Sequence, residues 1–384
     1  MKINRLYIIV LAIFSFFNGC QNKKKQIVEN KGNITTVVIP QAHNTNHVDI
    51  INDLSYIILE EKDNSFFGHV TKLRVYLNRI FVLDLIYAKS LFVYTTDGKH
   101  LATIGANKGR GPLDFISVSN FEIDYANNQL LVMDNFGFKF MIYDLDGRFI
   151  KRIDSKIGVT NAVLLPNGYI MHAKASSDYE ILGQTSSRLI ITDDNNQIIS
   201  EGFEYDDNKE LRFRQDGLIS SQPNGEFYFA PKFRDTIYSV SLHSITPKYA
   251  VNYGNNRTIS KSVIKDMVSD RELFELLNSG NTCFMGNYVD SKDFLYLLLG
   301  IAPNAIYVFY NKQTTNTVAT IQDKNRIGYE RELFRLLCSD SEGYFYGAFL
   351  LTPLKEVVKL FPDLQNIDPS RDLNPVLFRY KVKI

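Results

Sequence analysis

One strand-and-turn unit recurs along most of this chain, and that repetition limits the folds open to it more than any single motif does. In residues 70–105, VTKLRVY, Leu77-Asn78, RIFVLDL, SLFVYTT, Asp97-Gly98 and KHLATIG alternate strand and turn signals. Residues 118–153 repeat the order as VSNFEID, Asn127-Asn128, QLLVMDN, KFMIYDL, Asp146-Gly147 and RFIKRI. Asp84 and Asp134 end the second strand of each copy, and Tyr94 and Tyr143 lie late in the third. Asp-Gly follows the third strand both times, as expected for type I′ hairpins. Weaker copies occupy residues 160–204, 217–253 and 282–321. The last copy is split: LFRLLCSD, Glu342-Gly343 and YFYGAFL supply two strands, and PVLFRYKVK (375–383) a third.

No fourth strand remains at the C-terminus, but SYIILEE (55–61) stands unmatched ahead of the first full copy. Pairing it with the C-terminal strand completes a sixth unit and removes the exposed edges of an open sheet. The expected fold is all-β, a six-bladed β-propeller whose last blade is closed by an N-terminal strand. Residues 54–384 give about 55 per unit, somewhat long for a blade, so insertions are needed. Residues 259–280 show helical spacing, with Ile264, Met267, Val268, Leu273, Phe274 and Leu277 as an apolar stripe, Ser269 as N-cap and Gly280 as stop. PLKEVVKLF, from Pro353 to Phe361, is a second short helix. RELFRLL (331–337) nearly copies the helical RELFELL (271–277), yet the turn at Ser341-Glu342-Gly343 follows so closely that its C-terminal half is expected as inner strand.

The first 20 residues read as an address. Lys2 and Arg5 precede an apolar stretch from Leu6 to Phe17, too short to span about 30 Å of hydrocarbon at 1.5 Å per residue but suited to a signal peptide. It ends in Asn18-Gly19-Cys20, similar to a bacterial lipobox with Phe17 in place of the usual Leu. The expected organisation is a lipoprotein signal peptide over 1–19, a lipidated Cys20 and flexible tether over 20–50, and the propeller over 51–384. Lys23, Lys24 and Lys25 fall in a polar run without aromatics, which reads as solvated linker. Membrane attachment through the acyl chains is then the first partner. No acidic run follows Cys20, and the periplasmic side of the outer membrane is favoured over the cell surface.

The segment GANKGRGPLDF (105–115) joins the first two copies. Together with the lipobox and the Asp-Gly blades, it resembles the six-bladed β-propeller lipoproteins of Bacteroidota, relatives of NHL-repeat propellers. Gly109, Gly111, Pro112 and Phe115 match that family's G-x-G-x-G-P-x-E-[FY] segment, with Asp114 where Glu is usual. The absence of Trp argues against propellers built on a signature Trp. The resemblance covers roughly residues 50–384 and implies a fold rather than an activity.

Chemistry is sparsely signalled. Net charge is +1, which gives no reason to expect a nucleic-acid partner. None of the six histidines has metal-ligand spacing, no G-x-S-x-G elbow occurs, and the Gly-rich segment lacks the GK[ST] of a nucleotide loop, so neither metal nor cofactor is expected. Cys283 and Cys338 read as buried thiols. The residues that a channel mouth would recruit are Arg110 and Asp114 of the Gly-rich segment, Asp84, Asp134 and Asn135 after second strands, His172 within one, and the Lys232/Arg234 pair. For Asp84 and Asp134, turn capping by side-chain-to-backbone bonds competes with a ring of channel carboxylates. For His172, a satisfied structural role competes with a catalytic one.

The leading expectation is a monomeric, envelope-anchored propeller acting as a non-catalytic binding or scaffolding module for a glycan, peptide or partner protein. The alternative is a propeller hydrolase or lyase acting on a sugar or lactone. Convergence of Asp84, Asp134, His172, Arg110 and Lys232 on one void would favour chemistry, and dispersal would favour binding.

Overall fold

A computed structural model of the chain describes residues 25–26, 28–29, 32–43, 46–107, 109, 111–156, 161–173, 187–204, 217–260, 262–263, 270–300, 305–321, 329–350, 354–366 and 374–384. The signal segment and Cys20 lie outside the described residues, as do Lys108 and Arg110. Six small antiparallel sheets are arranged as the blades of a β-propeller. From the channel outward, blade one is Lys72–Tyr76, Arg79–Asp84, Ser90–Thr95 and His100–Ile104, and blade two is Asn120–Asp124, Gln129–Asp134, Lys139–Asp144 and Phe149–Asp154. Blade three is Asn161–Leu164, Ile170–Ala173, Ser187–Thr192 and Ile198–Glu204, and blade four is Gly217–Ser221, Phe227–Pro231, Thr236–Val240 and Ser244–Asn252. Blade five is Phe284–Asp290, Phe294–Leu299, Ile306–Asn311 and Thr317–Ile321.

Blade six takes Cys338–Ser339, Phe345–Ala348 and Leu377–Val382 from the C-terminal region and its outermost strand, Ile51–Ile57, from the N-terminal region. Leu377 pairs with Ile57 and Val382 with Ile51, so the closing strand lies about four residues earlier than the SYIILEE signal suggests. Leu59, just past that strand, still packs in the core between blades six and one. The near-continuous apolar runs of the second and third strands explain the ring. Both faces of each blade are covered by its neighbours, and one apolar cluster fills each of the six interfaces.

Two turn expectations separate here. Leu77 and Asn78 both have positive φ, 43° and 58°, as a type I′ turn requires. The Asp-Gly turns are of another kind: Gly98 and Gly147 alone of each pair adopt positive φ, 87° and 84°, and a register shift follows within the hairpin. These are three-residue loops closed by a glycine bulge, not type I′ turns.

Within the expected flexible tether over 20–50, the described residues 25–26, 28–29 and 35–38 are paired as strands. Lys25–Gln26 runs parallel to the outer strand of blade three, and Val28–Glu29 and Thr35–Val38 run parallel to that of blade four. His43 then bridges to Thr320 on the outer strand of blade five. The described part of the N-terminal segment thus pairs with successive blade rims ahead of the closing strand of blade six. Its anchor is the alternation in TTVVI: Val37 and Ile39 are buried in the cluster between blades four and five, while Val38 is half exposed.

The helical insertions are short. Asp270–Asn278 packs Leu273 and Leu277 inward and leaves Phe274 outside the stripe, half exposed; Ile264, Met267, Val268 and Ser269 lie outside the described residues. Leu354–Val357 forms within the expected Pro353 to Phe361 segment. Residues 331–337 do not supply inner strand: helix Tyr329–Glu332 precedes a strand that begins only at Cys338. Glu332 is buried and accepts the Leu350 amide at 2.9 Å, and Leu333 and Phe334 enter the core between blades five and six, which holds this segment out of the sheet.

Candidate binding channel

The inner strands leave a cavity of about 410 Å³ along the ring axis, lined from blades one, two, four, five and six. Its mouth is made by the turns that link first to second strands: Gln222–Asn224 in blade four, Asp290–Lys292 in blade five and Ser339–Ser341 in blade six. Lys312 joins them from the turn between the third and fourth strands of blade five, which lies on the same face.

Strand alternation places the charged residues. Lys72 and Arg74 are two apart on the inner strand of blade one and therefore share a face; Glu122 comes from the neighbouring inner strand of blade two. The Lys72 ammonium donates to Asn120 Oδ1 (3.0 Å), to the Phe121 carbonyl (2.7 Å) and to Glu122 Oε1. Arg74 Nη1 donates to the Leu73 carbonyl at 3.0 Å, and its Nη2 lies 3.3 Å from the same Glu122 Oε1. Glu122 Oε2 is buried and has no hydrogen-bond partner. Burial, reinforced by Arg74 and opposed by Glu122, brings the Lys72 pKa down to about 8.

The walls are phenolic and hydroxylic. Tyr288 and Ser220 share a 2.6 Å hydrogen bond, Gln222 Nε2 donates to Ser220 Oγ at 2.8 Å, and Tyr125 meets Tyr76 edge-on at 4.7 Å. Burial raises the pKa values of Tyr125 and Tyr288, so both are neutral donors. The acids at the mouth are already engaged. Asp290 is paired with Lys312 at 2.6 Å, while Asp340 accepts the amides of Glu342 and Tyr344 at 2.9 Å each and the Tyr346 hydroxyl at 2.7 Å. Cys338 lines the channel as a free thiol, pushed up to about 12 by burial, and Cys283 is likewise free and buried.

The residues singled out from sequence are placed elsewhere. Asp84, Asp134, Asn135, Lys232 and Arg234 stand at links between second and third strands, and Asp114 on the connection between blades one and two. In an antiparallel blade these links lie on the face opposite the cavity mouth. Asp84 is fully buried and accepts amides from Gly68 (3.0 Å), His69 (3.2 Å), Ile86 (2.8 Å), Tyr87 (2.9 Å) and Ala88 (3.3 Å). Asp134 repeats the arrangement with Ile116 (2.8 Å), Ser117 (3.4 Å) and Gly137 (2.8 Å), and Lys139 stands 3.9 Å away. Asp114 accepts the Gly111 amide at 3.0 Å, and a Cβ at Gly109 or Gly111 would come within 2.5 or 2.6 Å of its carboxylate, which accounts for the glycines.

Asn135 donates its amide to Ser119 Oγ at 3.2 Å, and its own Oδ1 is buried without a partner. His172 is sealed inside blade three, with Nε2 2.9 Å from Thr192 Oγ1 and Phe140 against its ring. Lys232 is half-buried and Arg234 exposed. The sequence reading passed over Lys72, Arg74, Glu122, Ser220 and Tyr288. The signal was present in KLRVY and NFEID, where charges alternate with core residues on strands that form the innermost layer.

Six blades around a polar, cation-floored channel define the class of protein: a β-propeller with one open axial pocket among the described residues. The chain belongs to the family described as Domain of unknown function (DUF4934), which matches residues 34–381. No curated protein matches the sequence. An exported protein of Bacteroides fragilis superimposes with a TM-score of 0.75 at 17% identity, covering 91% of this chain and 100% of its own. A DUF4221 member from Bacteroides vulgatus superimposes with a TM-score of 0.52 at 11% identity, over 87% of this chain and 97% of its own. At these identities the likeness is one of fold.

Proposed function

We propose that this protein is an envelope-anchored binding module, lipidated at Cys20, that holds a small polar ligand in the axial channel without transforming it. The observation that carries the reading is the channel itself: polar side chains from five blades converge on one cavity of about 410 Å³, a size suited to a small ligand. The signal and lipobox residues support export and anchoring, as does likeness to an exported Bacteroides protein. The described residues set out as a test of chemistry do not gather on one void. Asp84 and Asp134 bind separate loops, and His172 is enclosed within its blade.

A hydrolase or lyase would need a group able to take up a proton at the channel. Lys72 has the shifted pKa for this, yet all three of its N–H donors are committed to Asn120, Phe121 and Glu122. Binding is the better supported reading. The purified protein, incubated with glycan and peptide pools from a bacterial envelope and recovered, is expected to carry a ligand of unaltered mass. Cleaved or unsaturated products, or recovery with nothing bound, would contradict the proposal.

A further inference from the structure

Beneath the channel lie two buried cations and one carboxylate, of which Arg74 reaches the cavity. Lys72, Arg74 and Glu122 have side-chain exposures of 12%, 16% and 2%, and both cations address the same oxygen, Glu122 Oε1. One positive charge is therefore left without a counter-charge in a largely water-excluded place, where an unpaired ion is expensive. The surplus falls to Arg74. Lys72 is saturated, whereas Arg74 uses two of its five N–H groups, one of them in a long 3.3 Å contact. Arg74, not Lys72, lines the cavity. The acids nearer the mouth are engaged elsewhere: Asp290 pairs with Lys312, and Asp340 is bound by its own turn and faces Arg379.

We infer that the channel takes the end of an acidic saccharide, with a uronic-acid carboxylate against the Arg74 guanidinium. This rests on the channel being the binding place. The fork of an arginine matches a carboxylate bidentately. Two phenolic rings, Tyr125 and Tyr288, offer faces for a sugar ring, and Ser220, Gln222 and Asn224 offer hydroxyl and carboxamide partners for its hydroxyls. A peptide is the weaker fit, since the mouth is formed by turns and presents no long strand edge for backbone pairing.

The test is calorimetric titration of the full chain with trigalacturonate, with neutral galactotriose, and with a tripeptide carrying a free C-terminal carboxylate. Trigalacturonate is expected to bind at least about tenfold more tightly than the neutral sugar, with affinity falling as salt is raised. Arg74→Gln is expected to lose at least about tenfold and Arg74→Lys to fall between. The comparison of ligands on the unaltered protein stands even if Arg74→Gln does not fold. Equal binding of the neutral sugar, binding of the peptide alone, undiminished binding by a folded Arg74→Gln protein, or no binding of any of the three would overturn the inference. None of these would touch the binding-module reading, which fails only if envelope pools yield a transformed ligand or none.

Discussion

At the residue scale, the recurring aspartates show how one sequence signal supports two readings. Asp84 and Asp134 stand out because they end the second strand in two successive copies, a regularity equally suited to a carboxylate ring or to a capping device. Only the partners separate these, and the partners are backbone amides of two loops that meet at each carboxylate. Replacing Asp84 with Ala strands several buried N–H groups, and a loss of about 3 kcal/mol or more is expected in urea denaturation. Retained stability with lost ligand binding would contradict the capping role.

His172 makes a different prediction. Burial lowers its pKa from 6.5 to about 3, so the native state refuses a proton that the unfolded chain accepts. The sign follows: the stability tied to neutral His172 is fully present above pH 6.5 and is lost as pH falls toward 3, at about 1.4 kcal/mol per pH unit within that window. His172→Leu is expected to have a shallower decline in stability between pH 6.5 and 4 than the parent, measured by urea denaturation. Equal slopes would show that the imidazole is solvated.

At the scale of elements, the strand units and their closure were readable because each signal is local: an apolar run, a turn dipeptide, a periodicity of two. The N-terminal belt was hidden because residues 21–31 are polar apart from Ile27 and Val28, and because TTVVI pairs with a strand some two hundred residues away. The likeness of RELFRLL to RELFELL already signals a helix near 331, but its tie to the rest of the molecule is long-range, through the bond from Leu350 to Glu332. Val37 and Val38 test the belt as adjacent positions of opposite exposure. Val37→Asp buries an unpaired carboxylate and is expected to destabilise by about 3 kcal/mol or more, and to speed hydrogen exchange in 35–38 and 249–252. Val38→Asp is expected to stay within about 0.5 kcal/mol of the parent. Equal effects of the two would mean that the segment does not dock in this register.

At the scale of the whole molecule, the channel belongs to no single repeat. Arg74, Tyr125, Ser220, Tyr288 and Asp340 come from five blades, and beyond the alternation of charges in KLRVY no stretch of sequence marks them. Closing the ring creates the channel, which is why the fold was legible while the described candidate residues named from sequence lie away from the channel. At the mouth, Asp290 is paired with Lys312 and Asp340 is tied to its own turn, while the deep Arg74 sets the character of the cavity.

The most direct test of this account asks which face of the ring does the work. Hydrogen exchange of the intact protein would be measured by mass spectrometry with and without an envelope ligand pool. The account predicts protection at the channel-mouth turns, residues 222–226, 290–293 and 339–344, with residues 84–90, 111–117 and 134–139 on the far face unchanged. Protection confined to that far face would contradict it.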